Sequence, residues 1–267
     1  MTYMTPVLVV VVSGLIIGIL LTIAAKVFAV LVDERVSACR EALPGANCGA
    51  CGFAGCDDYA NACVDGGTAL NLCPVGGPKV AEALGEILGV SVDAAEGKFA
   101  EVRCMGTCDR TKPLMDYDGV KTCKAAKQFF GGSGSCASGC MGFGDCVDAC
   151  AFDAIGIVDG VAWVDRNNCV GCEQCVKACP NNLIAMAPSK NLVYVACSST
   201  DKAADTMKVC KVGCIACGKC VKACKFDAIV IENNHAIIDP VKCTNCGMCV
   251  KECPRVCILK LPKPPKK

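Results

Sequence analysis

The sequence predicts an α+β protein made of one apolar N-terminal helix, a small four-cysteine domain and two tandem copies of a compact cysteine-loop module. Three observations carry that expectation. Residues 6–25 contain no charged side chain. Cysteine accounts for 28 of the 267 residues while aromatics make up only 5%, so a conventional core is small and something held by the thiols must contribute to folding. Finally, Cys146, Cys150, Cys169, Cys172, Cys175 and Cys179 recur 74 positions later as Cys220, Cys224, Cys243, Cys246, Cys249 and Cys253, and FDAI at 152–155 recurs at 226–229. A shared register of that length marks a duplicated module.

The first element is expected to span a bilayer. Twenty helical residues reach roughly 30 Å, the thickness of the hydrocarbon layer. A cleaved secretory signal is the rival reading, but residues 1–5 lack the basic region it needs, and the apolar run resumes after Lys26 up to position 32. Lys26, Arg35 and Arg40 all follow the span, which by the positive-inside tendency places the rest of the chain in the cytoplasm of a single-pass membrane protein. That reducing side also suits free thiols. Gly14 and Gly18 form a G-x-x-x-G that would allow close helix packing, a pattern that also arises by chance.

Composition and spacing divide the chain into an anchor (1–32), a four-cysteine domain (33–90), a cysteine-containing connector (91–135), a first module (136–188), a linker (189–208), a second module (209–260) and a Pro/Lys-rich tail expected to be disordered (261–267). Apolar residues at helical spacing predict a helix over 78–89, with Gly89 as its stop. Asp159-Gly160 between two β-prone runs predicts a hairpin over 155–164, and Asn233-Asn234 repeats it over 229–238.

The cysteine spacing narrows the chemistry. Cys214, Cys217, Cys220 and Cys224 read C-x2-C-x2-C-x3-C, and Cys243, Cys246, Cys249 and Cys253 repeat the pattern before Pro254. Three thiolates set three residues apart grip one [4Fe-4S] cluster while the fourth reaches its neighbour. One set is therefore Cys214, Cys217, Cys220 and Cys253; the other is Cys224, Cys243, Cys246 and Cys249. Zinc sites use two close pairs separated by a dozen or more residues, a poorer match to four cysteines in eleven positions.

In the first module the second loop is regular, but Phe143 stands where the repeat calls for a cysteine. Phenylalanine cannot bind iron, so Cys136 is expected to replace the lost ligand. The sets become Cys136, Cys140, Cys146 and Cys179, and Cys150, Cys169, Cys172 and Cys175. Ala151 and Lys225 also replace the proline usual after the fourth cysteine. The N-terminal block spaces Cys48, Cys51, Cys56 and Cys73 as C-x2-C-x4-C-x16-C among glycines that let backbone N–H groups approach a cluster. Five [4Fe-4S] clusters are thus expected. Together they would add roughly −10 to a formal charge of +1.

LPGANCGACGFAGC with its distal Cys73 resembles the small four-cysteine domain of Rnf complex B subunits, and a similar domain occurs in corrinoid iron–sulfur proteins. The order anchor, four-cysteine domain, tandem modules looks like the long form of the Rnf B subunit over nearly the whole chain. The resemblance implies a transmembrane helix, a [4Fe-4S] domain and two bacterial-ferredoxin-like 2[4Fe-4S] modules. It also implies electron transfer within an ion-translocating ferredoxin:NAD+ oxidoreductase at the inner membrane. Soluble ferredoxin would be the electron donor, and the membrane and flavin- or NAD-binding subunits the partners. A corrinoid-linked methyl-transfer subunit and a zinc-stapled membrane scaffold are the alternatives. The first calls for an α/β barrel that 267 residues do not accommodate. Iron and sulfide content separates the second.

Cys39, Cys63, Cys104, Cys108, Cys123, Cys197, Cys210 and Cys257 lie outside these sets, with Cys104, Cys108 and Cys123 as candidates for further ligands and buried thiols as the plainer reading. The lone histidine, His235, aligns with Val161 and reads as a strand residue; Trp163 reads as hairpin packing. No Walker A loop, no G-x-G-x-x-G and no nucleophile–base pair is present, and no basic block suits nucleic acid. Lys208, Lys211, Lys219, Lys222 and Lys225 gather near one cysteine loop, either as a solvated face or as a dock for an acidic partner.

Overall fold

The computed structural model describes residues 4–27, 33–92, 97–129 and 131–262. Helix α1, Met4–Val27, has 24 residues and so extends about 36 Å. Its Val7–Ala24 stretch has a mean hydropathy of 3.0, and Leu8, Leu15 and Leu21 are mostly exposed, with no protein surface covering them. This helix is long and apolar enough to cross a membrane. The apolar continuation at 28–32 and the tail at 263–267 fall outside the described residues.

A helical domain follows. Helix α2 (Glu34–Ala42) starts at Asp33, whose carboxylate accepts the Arg35 N–H. Helix α3 (Cys56–Val64) leads to α4 (Gly77–Leu88), which has Pro78 in its first turn. Gly89 ends α4 in the left-handed region at φ 70° and donates its N–H to the Gly85 carbonyl, so the helix expected over 78–89 is present. Tyr59 and Leu84, both fully buried, pack with Cys39 and Cys63 between these helices. The Tyr59 hydroxyl donates to the Ala69 carbonyl at 2.9 Å and accepts from the Leu72 N–H at 3.2 Å, tying the approach to Cys73 down.

The first module comprises β1 (Lys98–Val102), α5 (Cys123–Gln128), α6 (Asp145–Asp148), the hairpin β2 (Ile155–Val158) and β3 (Val161–Val164), α7 (Gln174–Ala178) and β4 (Ile184–Pro188). The second comprises β5 (Val193–Val195), α8 (Ala203–Val209), α9 (Lys219–Ala223), the hairpin β6 (Ile229–Glu232) and β7 (His235–Ile238), α10 (Met248–Glu252) and β8 (Ile258–Lys260). Both expected hairpins form. Each module is closed by pairing its first strand antiparallel to its last: Val102 opposite Ile184, and Val195 opposite Ile258. Strand β1 lies in the stretch expected to be a connector and β5 in the expected linker. The modules as folded thus begin well before positions 136 and 209, because a strand whose partner lies some sixty to ninety residues away carries no local turn signal.

The loops share one backbone. In each, the residue two after the first cysteine and the residue two before the third are left-handed: Gly142 and Gly144, Gly171 and Glu173, Ala216 and Gly218, Asn245 and Gly247. The loop carrying Phe143 keeps this shape although one cysteine is gone. At Gly171 (φ 74°) a Cβ would sit 2.6 Å from the Lys98 carbonyl oxygen, so only glycine lets the loop lie against β1.

Candidate metal centres

Four groups of four thiols lie close together. Cys48, Cys51, Cys56 and Cys73 line one cavity in the N-terminal domain. There Gly49 and Gly52 are left-handed (φ 68° and 90°), and the Asn47 Oδ1 accepts the Cys56 N–H at 2.8 Å. Cys150, Cys169, Cys172 and Cys175 line a second. In the last module Cys220 is surrounded by Cys214, Cys217 and Cys253, and Cys249 by Cys224, Cys243 and Cys246. Burial first, and then the three neighbouring thiols, push the Cys220 and Cys175 thiols up to about 11. Such crowding of groups that must all ionise suits a cationic core among them.

The remaining expected set comes together differently. Cys140, Cys146 and Cys179 line one cavity, and the fourth thiol there is Cys123, not Cys136. Burial, reinforced by Cys140, Cys123 and Cys179, pushes the Cys146 thiol up to about 12. Cys123 opens α5, which Thr122 caps, and both the Cys123 and Lys124 N–H groups donate to the Asp145 carboxylate, at 2.6 and 2.9 Å. That clamp presents Cys123 beside the place Phe143 leaves vacant. Cys136 lines a separate cavity together with Cys104, Cys197 and Cys210. Cys108 is exposed, its N–H bonded to the Asp159 carbonyl on the β2–β3 turn. The one signal that would have found Cys123 is the repeat itself: it stands 74 positions before Cys197, as Cys136 does before Cys210.

Backbone amides point at these sulfurs: Gly76 to Cys73, Ala154 to Cys150 and Leu183 to Cys179 at 3.4 Å, and Ala100 to Cys169 at 3.5 Å. N–H donors of this kind stabilise thiolate charge. Cys257 is buried beside Cys214 and Cys253, 3.6 Å from the Cys253 sulfur. Hydrogen bonding among the three lowers the Cys214 and Cys253 thiols and raises that of Cys257. The sister module has Leu183 at this position. His235 sits at the start of β7 with its Nδ1 against the Asn233 carbonyl. Among the described residues no three His, Cys, Asp or Glu side chains converge on a point that suits a single metal ion. Four thiols around one cavity are a donor set that fits an iron–sulfur core.

An iron–sulfur family model (Fe-S cluster) matches residues 43–75, and a 4Fe-4S dicluster domain matches 168–228 and 213–257. The chain is 47% identical to the B subunit of the Na(+)-translocating ferredoxin:NAD(+) oxidoreductase complex of Acetobacterium woodii, over 92% of this chain and 74% of that one. It is 42% identical to the B subunit of the ion-translocating oxidoreductase complex of Methanosarcina acetivorans, over 75% and 76%. The chain belongs to this B-subunit family. A third member, from the proton-translocating ferredoxin:NAD(+) oxidoreductase complex of Clostridium ljungdahlii, is 39% identical over 85% of this chain and 80% of its own. Relatives named for different ions both match most of this chain, so family membership does not select the coupling ion. The dicluster match over 168–228 joins a loop of the first module to one of the second, following spacing alone; strand pairing places those loops in separate modules.

Proposed function

We propose that this chain is the membrane-anchored electron-transfer subunit of an ion-translocating ferredoxin:NAD+ oxidoreductase, accepting electrons from reduced ferredoxin and relaying them to the other subunits of the complex. The observation that carries the reading is the repeated enclosure of four thiols, with backbone N–H donors aimed at several of them, in a chain of this family. When bound, an all-thiolate [4Fe-4S] cluster accepts and releases single electrons without an open coordination position.

Five ligand sets follow: Cys48, Cys51, Cys56 and Cys73; Cys123, Cys140, Cys146 and Cys179; Cys150, Cys169, Cys172 and Cys175; Cys214, Cys217, Cys220 and Cys253; and Cys224, Cys243, Cys246 and Cys249. The N-terminal set adjoins the first module, where the Gln174 side-chain amide donates to the Cys48 carbonyl and Cys172 lies within electrostatic reach of Cys48. At the other end Cys217 and Cys246 are exposed, and Lys219, Lys222 and Lys225 are exposed in the stretch that follows Cys217. This is the face we assign to an acidic ferredoxin, on the cytoplasmic side of α1. No charge lies within Val7–Ala24, so ion passage belongs to partner subunits.

Anaerobically purified chain is expected to be brown, to carry iron and sulfide in equal amounts and to be bleached by dithionite or reduced ferredoxin. Colourless, iron-free protein, or protein that leaves membranes without detergent, refutes the reading.

A further inference from the structure

The cavity that captures Cys136 lies between the two modules. Its cysteines are Cys104, Cys136, Cys197 and Cys210, together with Cys140 of the neighbouring set. Each module supplies an equivalent pair. Cys104 follows the end of β1 (Val102) by two residues, and Cys197 follows the end of β5 (Val195) by two; Cys136 and Cys210 match in the 74-residue register. The fold thus brings two cysteines that follow the opening strands and two that match in the repeat face to face.

The surroundings are those of a built cradle. Cys197 and Cys210 are buried. Cys136 lies within electrostatic reach of both Cys197 and Cys210, and Cys104 of Cys136. Gly106 N–H donates to the Cys104 sulfur at 3.4 Å, and Cys214 N–H to the Cys197 sulfur at 3.3 Å. A Cβ on Gly106 would stand 3.6 Å from the Cys104 sulfur and 3.9 Å from that of Cys210, between the two. The Arg255 guanidinium clamps the Cys210 carbonyl at 2.5 Å and the Gly213 carbonyl at 3.2 Å. Thr111 bridges to Cys210 across the module boundary. These are the same features, thiols ringing a volume with amides aimed at sulfur, that mark the five sets above.

We propose that Cys104, Cys136, Cys197 and Cys210 hold a sixth [4Fe-4S] cluster at the junction of the two modules, a proposal that rests on the iron–sulfur reading of the chain. Its position gives it a role. Cys140, which also lines it, belongs to the first module's set, and the Cys197 sulfur accepts the backbone N–H of Cys214 in the second module's set. The site thus joins two otherwise separate pairs of clusters into one continuous series from Cys48 to Cys246.

The test is iron and acid-labile sulfide per full-length chain, with EPR of the reduced protein, for wild type, Cys197→Ala/Cys210→Ala, Cys104→Ala/Cys136→Ala and the fourfold variant; each double variant removes two ligands so that no partial cluster survives. Wild type should hold ~24 iron atoms and each double variant ~20, and the fourfold variant should also hold ~20, since all four positions serve one cluster. Cys39→Ala, a buried thiol outside every set, should leave the count unchanged. A Cys197→Ala/Cys210→Ala chain with wild-type iron overturns the proposal, as does a fourfold variant that loses ~8. Should a variant fail to fold, the wild-type count still decides: ~20 overturns this site and leaves the five sets standing, whereas iron near zero defeats both readings.

Discussion

Replacing Glu101 by glutamine probes the packing that joins β1 to the rest of the first module. Glu101 is 6% exposed, its Oε1 accepts no hydrogen bond from the described residues, and burial pushes its carboxyl from an ordinary 4.5 up to about 7, against the pull of Arg103 and Arg166. Arg166 does not depend on it for position: it lies over the Phe99 ring at 3.4 Å and donates to the Ser189 and Asn191 carbonyls. Because the folded-state value lies above the unfolded one, folding takes up a proton between them. The stability of the neutral form is fully present below about pH 4.5 and is lost as pH rises through about 7. At about 1.4 kcal/mol per pH unit the loss totals about 3 kcal/mol, of which about 2.5 kcal/mol falls between pH 5 and 8.5. Glutamine has the same shape and cannot ionise, so it escapes that loss. The assay is anaerobic native-state hydrogen exchange of the β1 and β4 amides, wild type against variant at each pH, so that intrinsic exchange rates cancel. Protection in the variant relative to wild type should rise by about fiftyfold or more from pH 5 to 8.5. A ratio that stays flat across that range refutes the burial argument.

Other substitutions test the loops and the docking face. Val256 is left-handed at φ 52° where the sister module has Asn182 at φ 51°, so Val256→Asn should stabilise the second module by about 1 kcal/mol, raising the temperature at which its visible absorbance bleaches. Gly171→Ala forces a Cβ onto the Lys98 carbonyl at positive φ and should cost about 2 kcal/mol, whereas Ala216→Gly at the matching loop position, φ 51°, should stabilise by up to about 1 kcal/mol. Opposite signs from the same measurement are the expected result. Changing Lys219, Lys222 and Lys225 together to Glu should slow reduction by an acidic ferredoxin about tenfold or more at low salt, in stopped-flow absorbance, and the difference should fade near ~0.5 M salt. Equal rates at low salt would place the donor elsewhere.

Residues 6–25, the cysteine spacings and the 74-residue register determined by themselves that this is an iron–sulfur chain of duplicated modules behind an apolar helix long enough to cross a membrane, and they placed both hairpins. These are local features: a run of apolar side chains and three cysteines within seven residues state their purpose without a distant partner. Only the tertiary structure shows which far segment lies beside each group of thiols. Strands β1 and β5 reach back to β4 and β8 and carry Cys104 and Cys197 to the junction with them. Where Phe143 removes a ligand, spacing points to the nearest spare cysteine, Cys136, but the chain between β1 and the first loop folds back through the Asp145 clamp and delivers Cys123 instead. Proximity in sequence and proximity in space part company there, because the fourth thiol of a cluster is set by where the chain returns.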